Sequence, residues 1–316
     1  MKDLSVIIVS YNTQEITQEC VTRLIESIHQ TPSLKAEIIL IDNDSKDGSV
    51  EMIRKIERRG LGDGEIGRGG EGERKREGDY TVDVKTIFNN ENVGFAKANN
   101  EGIAIANSKY ILFLNSDAYV QDVNFEDLVY YMDKNPQVGV LTVKIILPDG
   151  TMDKASHRGF PTIWNSFTYF SKLEKVFTKF PKLSKYFGNY HLTHLDLNTI
   201  HEIDSPSGAF YLTRANILKE TNGFDTAFFM YGEDLDLSYR IKEFGYKIIY
   251  YPLFRVIHLK KQSGLNKNRV GVQRRTSKHF YEAMQIFYDK HFAKNNSFIE
   301  NIATHFFINL KSKIQK

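Results

Sequence analysis

The sequence predicts an α/β protein built on a mostly parallel central sheet that is covered by helices on both faces. Short runs of apolar residues, typical of buried strands, alternate through the first half of the chain with segments of helical length. Apolar strands joined by helices are the pattern of a parallel sheet. The predicted strands are residues 4–9, 37–41, 82–88 and 110–114, and the predicted helices are residues 15–29, 48–58, 96–106 and 125–133.

The second half of the chain adds further elements and a helical tail. A long β-rich run, residues 138–147, ends at a turn of Pro, Asp and Gly. A helical pattern begins at residue 278 and continues towards the end. We therefore predict a main domain of residues 1–265 and a C-terminal helical extension of residues 266–316. Short segments with strand-like or helix-like patterns are residues 203–212, 235–244, 247–251 and 255–259.

Residues 60–78 interrupt the alternating pattern. They are almost all Gly, Glu, Arg, Lys and Asp, and such a segment cannot bury enough apolar surface to order itself. We predict a flexible insertion in the connection before the third strand.

The composition excludes several functional classes. The 316 residues carry a formal charge of +3, and the densest basic stretch, residues 68–76, is balanced by glutamates, so no nucleic-acid-binding face is predicted. The single cysteine, Cys20, excludes an internal disulfide and fits a reducing compartment. No signal peptide is predicted, and no run approaches the roughly 18 apolar residues of a membrane span. We expect a cytoplasmic protein, either soluble or peripheral on the inner face of the plasma membrane.

Two short polar side chains and a carboxylate follow the strand of residues 110–114. Asn115, Ser116 and Asp117 would emerge at its carboxyl end, the edge where open α/β sheets bind ligands. Divalent cations such as Mg²⁺ and Mn²⁺ prefer oxygen ligands and commonly share phosphate oxygens. Asp117 is therefore predicted to hold a cation against the diphosphate of a nucleotide, with Asn115 and Ser116 beside it. The alternative is an ordinary turn residue.

Polar residues also follow the first two strands. Ser10, Tyr11 and Asn12 end the first strand, and Asp42 ends the second. The carboxylate of Asp42 can accept a hydrogen bond from the ring imide of uracil or thymine, and the ring of Tyr11 can pack near the base. We predict that base and ribose lie across these two strand ends. Short polar residues at strand ends also serve as helix N-caps, and this alternative stays open.

The residues after the third strand extend the predicted ligand edge. Gly94 allows the backbone to turn closely, and a helix begins just after it with the positive end of its dipole at this edge. Asn92 precedes the turn. Asn99 lies inside the helix, where asparagine is unfavourable, so contact with a ligand is the preferred explanation. The alternative for the whole group is an ordinary turn and helix cap.

Two adjacent acids, Glu233 and Asp234, stand at the start of a predicted helix. Acids in a first helical turn often only complement the helix dipole. Here an apolar and aromatic run precedes them, and such surroundings can raise the pKa of a carboxyl group toward the range of a general base. We predict that Asp234 is the catalytic base, with Glu233 beside it.

His258 ends a further predicted strand and precedes a basic, flexible stretch. On the same edge of the sheet, its imidazole is predicted to bind the metal ion or a phosphate, although a lone histidine is more often structural. Lys261 and Ser263 are predicted to close over the diphosphate as part of a lid.

These segments, in this order, resemble the inverting family 2 glycosyltransferases of the GT-A fold, especially their rhamnosyltransferase-like branch. The motifs are specific as a set rather than singly, and they cover roughly the first 265 residues. The matching segments are residues 6–12, 39–45, 92–100, 112–117, 207–210, 223–225 and 232–238, together with His258.

The resemblance implies a role for each matched residue. Asp42 matches the nucleobase contact, and Asp234 matches the catalytic base. Asp117 matches the last acid of the family's metal-binding triplet, and His258 its late metal or phosphate ligand. The first acid of the triplet is replaced by Asn115, so strict dependence on a metal is in question.

The implied reaction is a single in-line displacement that inverts the anomeric carbon of the donor sugar. Asp234 takes the proton of the attacking acceptor hydroxyl, and a divalent cation offsets charge on the leaving nucleoside diphosphate. Ser207 and Gly208 would shape the pocket for the donor sugar and acceptor. The donor is predicted to be a dTDP-sugar or a UDP-sugar, with L-rhamnose preferred on the resemblance alone.

Residues 160–195 interleave aromatic residues with lysines, a composition found at anionic lipid interfaces. A polyprenyl-diphosphate-linked sugar or a glycan is the predicted acceptor, and the resemblance implies bacterial cell-surface polysaccharide synthesis. The alternative is a helical subdomain whose aromatic residues form a core. The basic, apolar tail, residues 298–316, fits a membrane-contacting helix and a helix that forms a homodimer equally well.

Two other functions use a similar fold. A sugar-1-phosphate nucleotidylyltransferase would carry a glycine-rich basic loop after its first strand, where this chain has residues 10–15 with neither glycine nor a basic side chain. A non-catalytic sugar-nucleotide or glycan-binding module would retain the pocket without needing Asp234. The glycosyltransferase is the preferred prediction, and substitution of Asp234 separates it from the binding module.

Overall fold

A computed structural model describes residues 1–60, 82–260 and 270–314 of the chain. Nine strands in these residues form a single sheet. The strands are β1 (Lys2–Ser10), β2 (Ala36–Asp42), β3 (Asp83–Phe88), β4 (Ser108–Leu114), β5 (Ala118–Val120), β6 (Val138–Ile146), β7 (His201–Ile203), β8 (Phe210–Arg214) and β9 (Lys247–His258).

Helices cover the sheet and continue beyond its last strand. The α-helices are α1 (Gln14–His29), α2 (Ser49–Gly60), α3 (Phe95–Ile105), α4 (Phe125–Lys134), α5 (Ile163–Phe170), α6 (Leu173–Phe177), α7 (Pro181–Phe187), α8 (Ala215–Glu220), α9 (Glu233–Glu243), α10 (Val270–His291) and α11 (Phe298–Ile314). Two short 3₁₀ helices lie at Lys154–Ser156 and Ala293–Asn295.

The first half of the sheet is parallel and defines the ligand edge. β1 pairs with β2 and with β4, and β2 pairs with β3, all in parallel. Ser10 pairs with Asp42, which in turn pairs with Phe88, so the carboxyl ends of three strands are level. The polar residues that follow these strands therefore lie along one edge.

The second half of the sheet is mixed in direction. β8 lies antiparallel between β4 and β6, β6 and β9 are parallel, and β5 and β7 are antiparallel to β9. The strand order is β3-β2-β1-β4-β8-β6-β9-β5, with β7 also on β9. Since β1, β2, β3, β4, β6 and β9 share one direction, the predicted mostly parallel sheet flanked by helices is confirmed.

Two features of the sheet differ from the prediction. Residues 247–251 and 255–259, predicted as separate strands, form the continuous strand β9, whose register against β6 shifts between Tyr251 and Arg255. Pro252 lies in this irregularity and has no N–H to donate to a neighbouring strand. The three-residue strand β5 was not predicted because so short a segment carries no periodic signal.

The sheet is buried on both faces. Along β1, Val6 and Ile8 belong to one apolar cluster and Ile7 to the other, because successive side chains of a strand point to opposite faces. Cys20 of α1 is fully buried in the first cluster, so it packs as a small apolar residue.

The C-terminal helices attach to the main domain through α9. Asp236 of α9 is fully buried. Its carboxylate contacts Arg240 of the same helix and Lys290 and His291 at the end of α10, at 2.8, 2.7 and 2.8 Å. α11 then packs along α10. No helix in the described ranges is both long enough and apolar enough to cross a bilayer.

The predicted insertion falls mostly outside the described residues. Gly60 is the last residue of α2, whereas residues 61–78 lie beyond the described range. Residues 160–195 form the three short helices α5, α6 and α7 with their connections.

Candidate active site

Asp117 and His258 face each other at the ligand edge. Oδ1 of Asp117 lies 3.2 Å from Nε2 of His258, and both residues are buried. The amide Nδ2 of Asn115 lies 3.5 Å from the same Nε2. The structure therefore brings together three residues that were predicted at or beside a metal site.

Strand pairing explains why Asp117 and His258 meet. Ala118, the first residue of β5, pairs with His258, the last residue of β9. The backbone N–H of Leu259 also donates a hydrogen bond of 2.9 Å to the carbonyl oxygen of Asp117. The short strand that sequence patterns miss is thus the element that assembles this pair.

A fourth residue, Asp153, orients His258 and was not predicted. Its fully buried carboxylate lies 2.7 Å from Nδ1 of His258 and 2.7 Å from Nζ of Lys260. Burial opposes ionisation of Asp153, but His258 and Lys260 hold the pKa of its carboxyl group below the ordinary value. For His258, burial alone would lower the pKa of the imidazole. Asp117 and Asp153 raise it, and the net pKa is about 9.

These residues fit a divalent cation. An imidazole whose Nδ1 is held by a carboxylate is the usual arrangement of a metal-bound histidine, and Nε2 of His258 is directed toward Asp117. The proton on Nε2 would leave when a cation binds there. Asp117 supplies a carboxylate oxygen beside that nitrogen. In the ranges that the structure describes, no group of three or more His, Cys, Asp or Glu side chains is arranged to hold a metal. Diphosphate oxygens and water would therefore have to complete the coordination.

Asp42 offers a buried acceptor atom at the end of β2. Its Oδ2 accepts a hydrogen bond of 2.9 Å from the backbone N–H of Ser45, which fixes the carboxylate. Its Oδ1 is buried and has no hydrogen-bond partner within the described part of the chain. Because an unpaired buried carboxylate oxygen is costly, this atom fits a donor group on a ligand, such as the ring imide of a pyrimidine.

The residues that end β1 lie beside Asp42. The N–H of Asn12 donates to Oγ of Ser45 at 2.9 Å, and its Oδ1 accepts from the backbone N–H of Lys46 at 2.7 Å. Ser10 is buried. Tyr11 is partly exposed and follows it directly. Hydrogen bonds of Asn12 thus tie the first two strand ends together, while ligand contact by these residues stays a prediction.

Asn92 and Gly94 form a turn that is held by Asn43. Oδ1 of Asn92 accepts hydrogen bonds of 3.0 Å from Nδ2 of Asn43 and from the backbone N–H of Gly94. Asn99 is buried, and its amide donates to the carbonyl oxygen of Phe95 at 2.9 Å. These bonds give Asn92 and Asn99 structural roles, so ligand contact by either remains a prediction.

Replacement of Gly94 by alanine should destabilise the protein. Gly94 has φ 85° and ψ 166°, a region that is essentially open only to glycine. A Cβ atom there would lie 2.6 Å from the carbonyl oxygen of Phe229. We expect Gly94→Ala to lower the free energy of unfolding in urea by about 2–4 kcal/mol. Gly150→Ala is the control, because Gly150 has φ +80° but open space around it; equal losses would contradict the account.

Asp234 is held by Arg158, a residue that was not predicted. Oδ2 of Asp234 lies 2.6 Å from Nη2 of Arg158, which also donates to the carbonyl oxygen of Pro206 at 3.3 Å. Oδ1 of Asp234 accepts from the backbone N–H of Leu235 at 2.7 Å. Burial lowers the pKa of Arg158, but Asp234 raises it to a net value above the ordinary one. The guanidinium therefore remains charged beside the carboxylate.

Glu233, the neighbour of Asp234, is held in its neutral form. It is buried, and its Oε2 has no hydrogen-bond partner among the residues described. Burial and the adjacent carboxylate of Asp234 raise the pKa of Glu233 to about 8. At neutral pH the pair therefore combines a protonated carboxyl group with a carboxylate that is paired to Arg158.

The raised pKa of Glu233 predicts a pH-dependent stability. The folded protein holds this proton more tightly than the unfolded chain, so the contribution to stability is complete below about pH 4.5 and is lost as the pH rises to about 8. Glu233→Gln cannot ionise. We expect it to be more stable than the wild type by on the order of 1–3 kcal/mol at pH 8 and equal to it at low pH. Thermal unfolding across pH tests this, with exposed Glu91→Gln as control; a pH-independent difference would contradict it.

Ser207 and Gly208 follow Pro206, whose carbonyl oxygen contacts Arg158, and Gly208 lies close to Asn115. Oγ of Ser207 is buried without a hydrogen-bond partner in the described ranges. A Cβ atom on Gly208 would lie 3.3 Å from the ring of Phe95 and 3.6 Å from Oδ1 of Asn115. Ser116 is buried, and its Oγ is 3.5 Å from Oγ1 of Thr13. The predicted lid residues, Lys261 and Ser263, lie outside the described residues.

The family model for glycosyl transferase family 2 matches residues 5–193. This chain belongs to glycosyl transferase family 2. The matched segment begins within β1, continues through β6 and contains Asp42 and Asp117. Glu233, Asp234 and His258 follow it in the sequence.

Two curated relatives show how much of the chain is shared. Rhamnosyltransferase WbbL of Escherichia coli K12 is 30% identical over 52% of this chain and 60% of its own length. A poly-beta-1,6-N-acetyl-D-glucosamine synthase of Staphylococcus epidermidis is 23% identical over 80% of this chain and 48% of its own length. The chain therefore spans about half the length of these relatives.

A solved structure supports the fold. The mannosyltransferase PcManGT of Pyrobaculum calidifontis, in complex with GDP-Man and Mn²⁺, superposes with a TM-score of 0.53. The alignment covers 100% of this chain and 74% of that one at 14% sequence identity. The GT-A glycosyltransferase fold that the sequence predicts is thus confirmed.

Proposed function

We propose that this chain is an inverting glycosyltransferase that moves a sugar from a dTDP or UDP donor to a hydroxyl group of a glycan or of a polyprenyl-diphosphate-linked acceptor. The process would be polysaccharide synthesis, as the name of the poly-beta-1,6-N-acetyl-D-glucosamine synthase suggests, and its place at the cell surface rests on the resemblance alone. L-Rhamnose is the preferred sugar because of the resemblance to the rhamnosyltransferase-like branch. The observation that carries the proposal is the Asp117–His258 pair, oriented by Asp153, on the same sheet edge as the unpaired oxygen of Asp42.

The donor would lie along the carboxyl edge of the sheet. Oδ1 of Asp42 would accept the imide N–H of uracil or thymine, with Tyr11 beside the base. Asp117 and His258 would hold Mg²⁺ or Mn²⁺ near the diphosphate, and Asp153 keeps Nε2 of His258 directed toward Asp117. When bound, the cation would stabilise negative charge on the leaving nucleoside diphosphate. The Mn²⁺ and GDP-Man of the solved neighbour are in keeping with this arrangement.

Asp234 would act as the base toward the acceptor. As the acceptor oxygen forms its bond to the anomeric carbon, the bond from that carbon to the diphosphate breaks and the hydroxyl proton passes to Asp234. Arg158 holds one oxygen of Asp234 at 2.6 Å, which fixes the direction of the carboxylate. Ser207 and Gly208 would line the space between this base and Asn115.

The principal rival is a binding module without catalysis. A pocket that only binds a sugar nucleotide has no need of two buried adjacent acids, one of them with its pKa raised to about 8. Such perturbed carboxyl groups concentrate in active sites. The buried Arg158–Asp234 ion pair is likewise weak as a stabilising device, because burial of both charges costs desolvation energy.

Transfer to a defined acceptor tests the proposal. The purified protein would be incubated with Mn²⁺, dTDP-L-rhamnose or UDP-sugars, and lipid-diphosphate-linked sugars or oligosaccharides as acceptors. Mass spectrometry would detect the added sugar, and NMR of the product would give its anomeric configuration. We expect one donor to yield a product of inverted configuration. A product that retains the donor configuration would contradict the single displacement.

A further inference from the structure

We propose that α5, α6, α7 and α11 form one docking face that binds the surface of an anionic lipid bilayer. This inference goes beyond the transfer reaction and does not depend on it. It is carried by exposed aromatic side chains, by lysines interleaved with them, and by the contact that joins the two groups of helices.

The helices α5 to α7 expose apolar side chains that a core would have buried. Part of the aromatic set packs together: the partly buried ring of Phe177 in α6 stacks on Phe187 of α7 at 4.3 Å, and Trp164 of α5 lies 5.6 Å from Phe187. Other members face outward: Trp164 is 48% exposed, Phe167 53% and Tyr186 66%. The segment therefore has a small core and, in addition, an exposed apolar surface.

The same segment is strongly basic at its surface. Residues 163–187 contain five lysines, at positions 172, 175, 179, 182 and 185, and all of them are exposed. The one acid in this stretch, Glu174, is buried and pairs with His191 at 2.6 Å. Exposed aromatic residues between uncompensated lysines are the chemistry of an interfacial surface that binds anionic headgroups.

α11 presents an apolar face on the side away from α10. Its buried side contains Ile308 and polar contacts to α10, including Asn301 to the hydroxyl of Tyr288 at 2.7 Å. Apolar residues spaced by three or four positions cover the side that faces away from α10. A helix on the surface of a soluble protein usually turns its polar side outward. The exposed apolar residues of α11 are Phe298, Ile299, Ile302, Phe306, Phe307 and Leu310.

The two apolar surfaces are connected. Nζ of Lys311, near the end of α11, lies 5.5 Å from the ring centroid of Phe170, the last residue of α5. The exposed surfaces of α5 to α7 and of α11 can therefore be treated as one docking face.

Charge favours a bilayer over a second copy of the chain. In a symmetric dimer this face would meet itself, and the lysines of residues 163–187 would oppose the same lysines without exposed acids between them. α11 adds a single acid, Glu300, within residues 298–314. An anionic bilayer instead supplies negative headgroups for the lysines and an interfacial layer for the aromatic rings.

Vesicle sedimentation tests this inference without any nucleotide sugar. The full chain would be mixed with vesicles of phosphatidylcholine alone or of phosphatidylcholine and phosphatidylglycerol in equal parts, at low and high salt. We expect binding to the anionic vesicles that weakens with salt. Substitution of Lys175, Lys179 and Lys182 by glutamine should weaken binding about a hundredfold, because each lysine contributes about fivefold.

A second variant tests the apolar part, and a third serves as control. Phe306→Gln with Phe307→Gln should weaken binding by at least about tenfold. The control variant replaces by glutamine three exposed lysines elsewhere on the protein: Lys55 on α2, Lys134 on α4 and Lys247 at the start of β9. Its binding should stay within about twofold of the wild type. Circular dichroism and thermal unfolding would show that each variant is folded.

Several results would overturn the inference. Equal loss of binding in the control triple variant would show a non-specific charge effect. Absence of vesicle binding would refute it, and a concentration-dependent dimer that Phe306→Gln and Phe307→Gln abolish would assign the face to a second copy. These assays need no turnover, so absence of vesicle binding would not contradict the proposed transfer reaction. A protein that binds vesicles but transfers no sugar would contradict the proposed function and not the docking face.

Discussion

Replacement of Asp234 by asparagine is expected to lower turnover by about 10²–10⁴-fold while donor affinity stays nearly unchanged. Asparagine has almost the same shape but cannot accept the proton of the acceptor hydroxyl. It also leaves the buried guanidinium of Arg158 without its charged partner. Turnover would be measured as nucleoside diphosphate released in the presence of acceptor, and donor binding by calorimetry.

Two controls separate catalysis from stability. Asp83→Asn makes the same chemical change at an exposed ion pair with Lys2 at the start of β3, and it should retain full turnover. Glu233→Gln preserves the neutral form that dominates at neutral pH, so it should lose far less activity than Asp234→Asn. Retained turnover in Asp234→Asn, in a protein that is folded, would refute the assignment of the base.

Replacement of Asp117 by asparagine should also cost about 10²–10³-fold in kcat/KM, for a different reason. Since the neighbouring Asn115 has no carboxylate, the change removes the carboxylate from the Asp117–His258 pair. We expect the concentration of Mn²⁺ needed for half-maximal activity to rise strongly, with partial recovery at high Mn²⁺.

The metal titration decides between ligand and structural roles. Activity of the wild type, Asp117→Asn and Asp83→Asn would be followed over a series of Mn²⁺ concentrations after removal of bound metal with EDTA. If Asp117 binds the metal, the dependence of activity on Mn²⁺ concentration should shift to higher concentrations for Asp117→Asn and stay unchanged for Asp83→Asn. Activity that is lower by the same factor at every Mn²⁺ concentration would instead make Asp117 a structural residue.

The polar residues at the strand ends could be predicted from the sequence because their signals are local. A carboxylate at the end of an apolar strand, or within three residues of it, identifies Asp42 and Asp117, and the parallel arrangement that the alternating pattern predicts places both on one edge. The helix start at Glu233 and Asp234 follows in the same way from the glycine and aromatic run before it. No long-range information is needed for these positions.

The residues that support the site could not be predicted, because their partners are distant in the chain. Asp153 contacts His258 across 105 residues, and Arg158 contacts Asp234 across 76 residues. Asp153 follows a predicted turn, and Arg158 stands just before the aromatic and lysine-rich segment, so neither has a pattern of its own. Tertiary structure brings them together: the N–H of Asp153 bonds to the carbonyl oxygen of Ile145 in β6, which pairs with β9, and Arg158 forms an isolated bridge with Ser205.

The most direct test of the central claim is turnover of the donor in the absence of acceptor. Purified protein would be incubated with Mn²⁺ and a panel of nucleotide sugars, and released nucleoside diphosphate would be measured with and without EDTA. A nucleotide-sugar transferase with the Asp117–His258 pair as its cation site should hydrolyse one dTDP- or UDP-sugar slowly, and EDTA should stop the hydrolysis. No hydrolysis of any donor, together with no donor binding by calorimetry, would contradict the account.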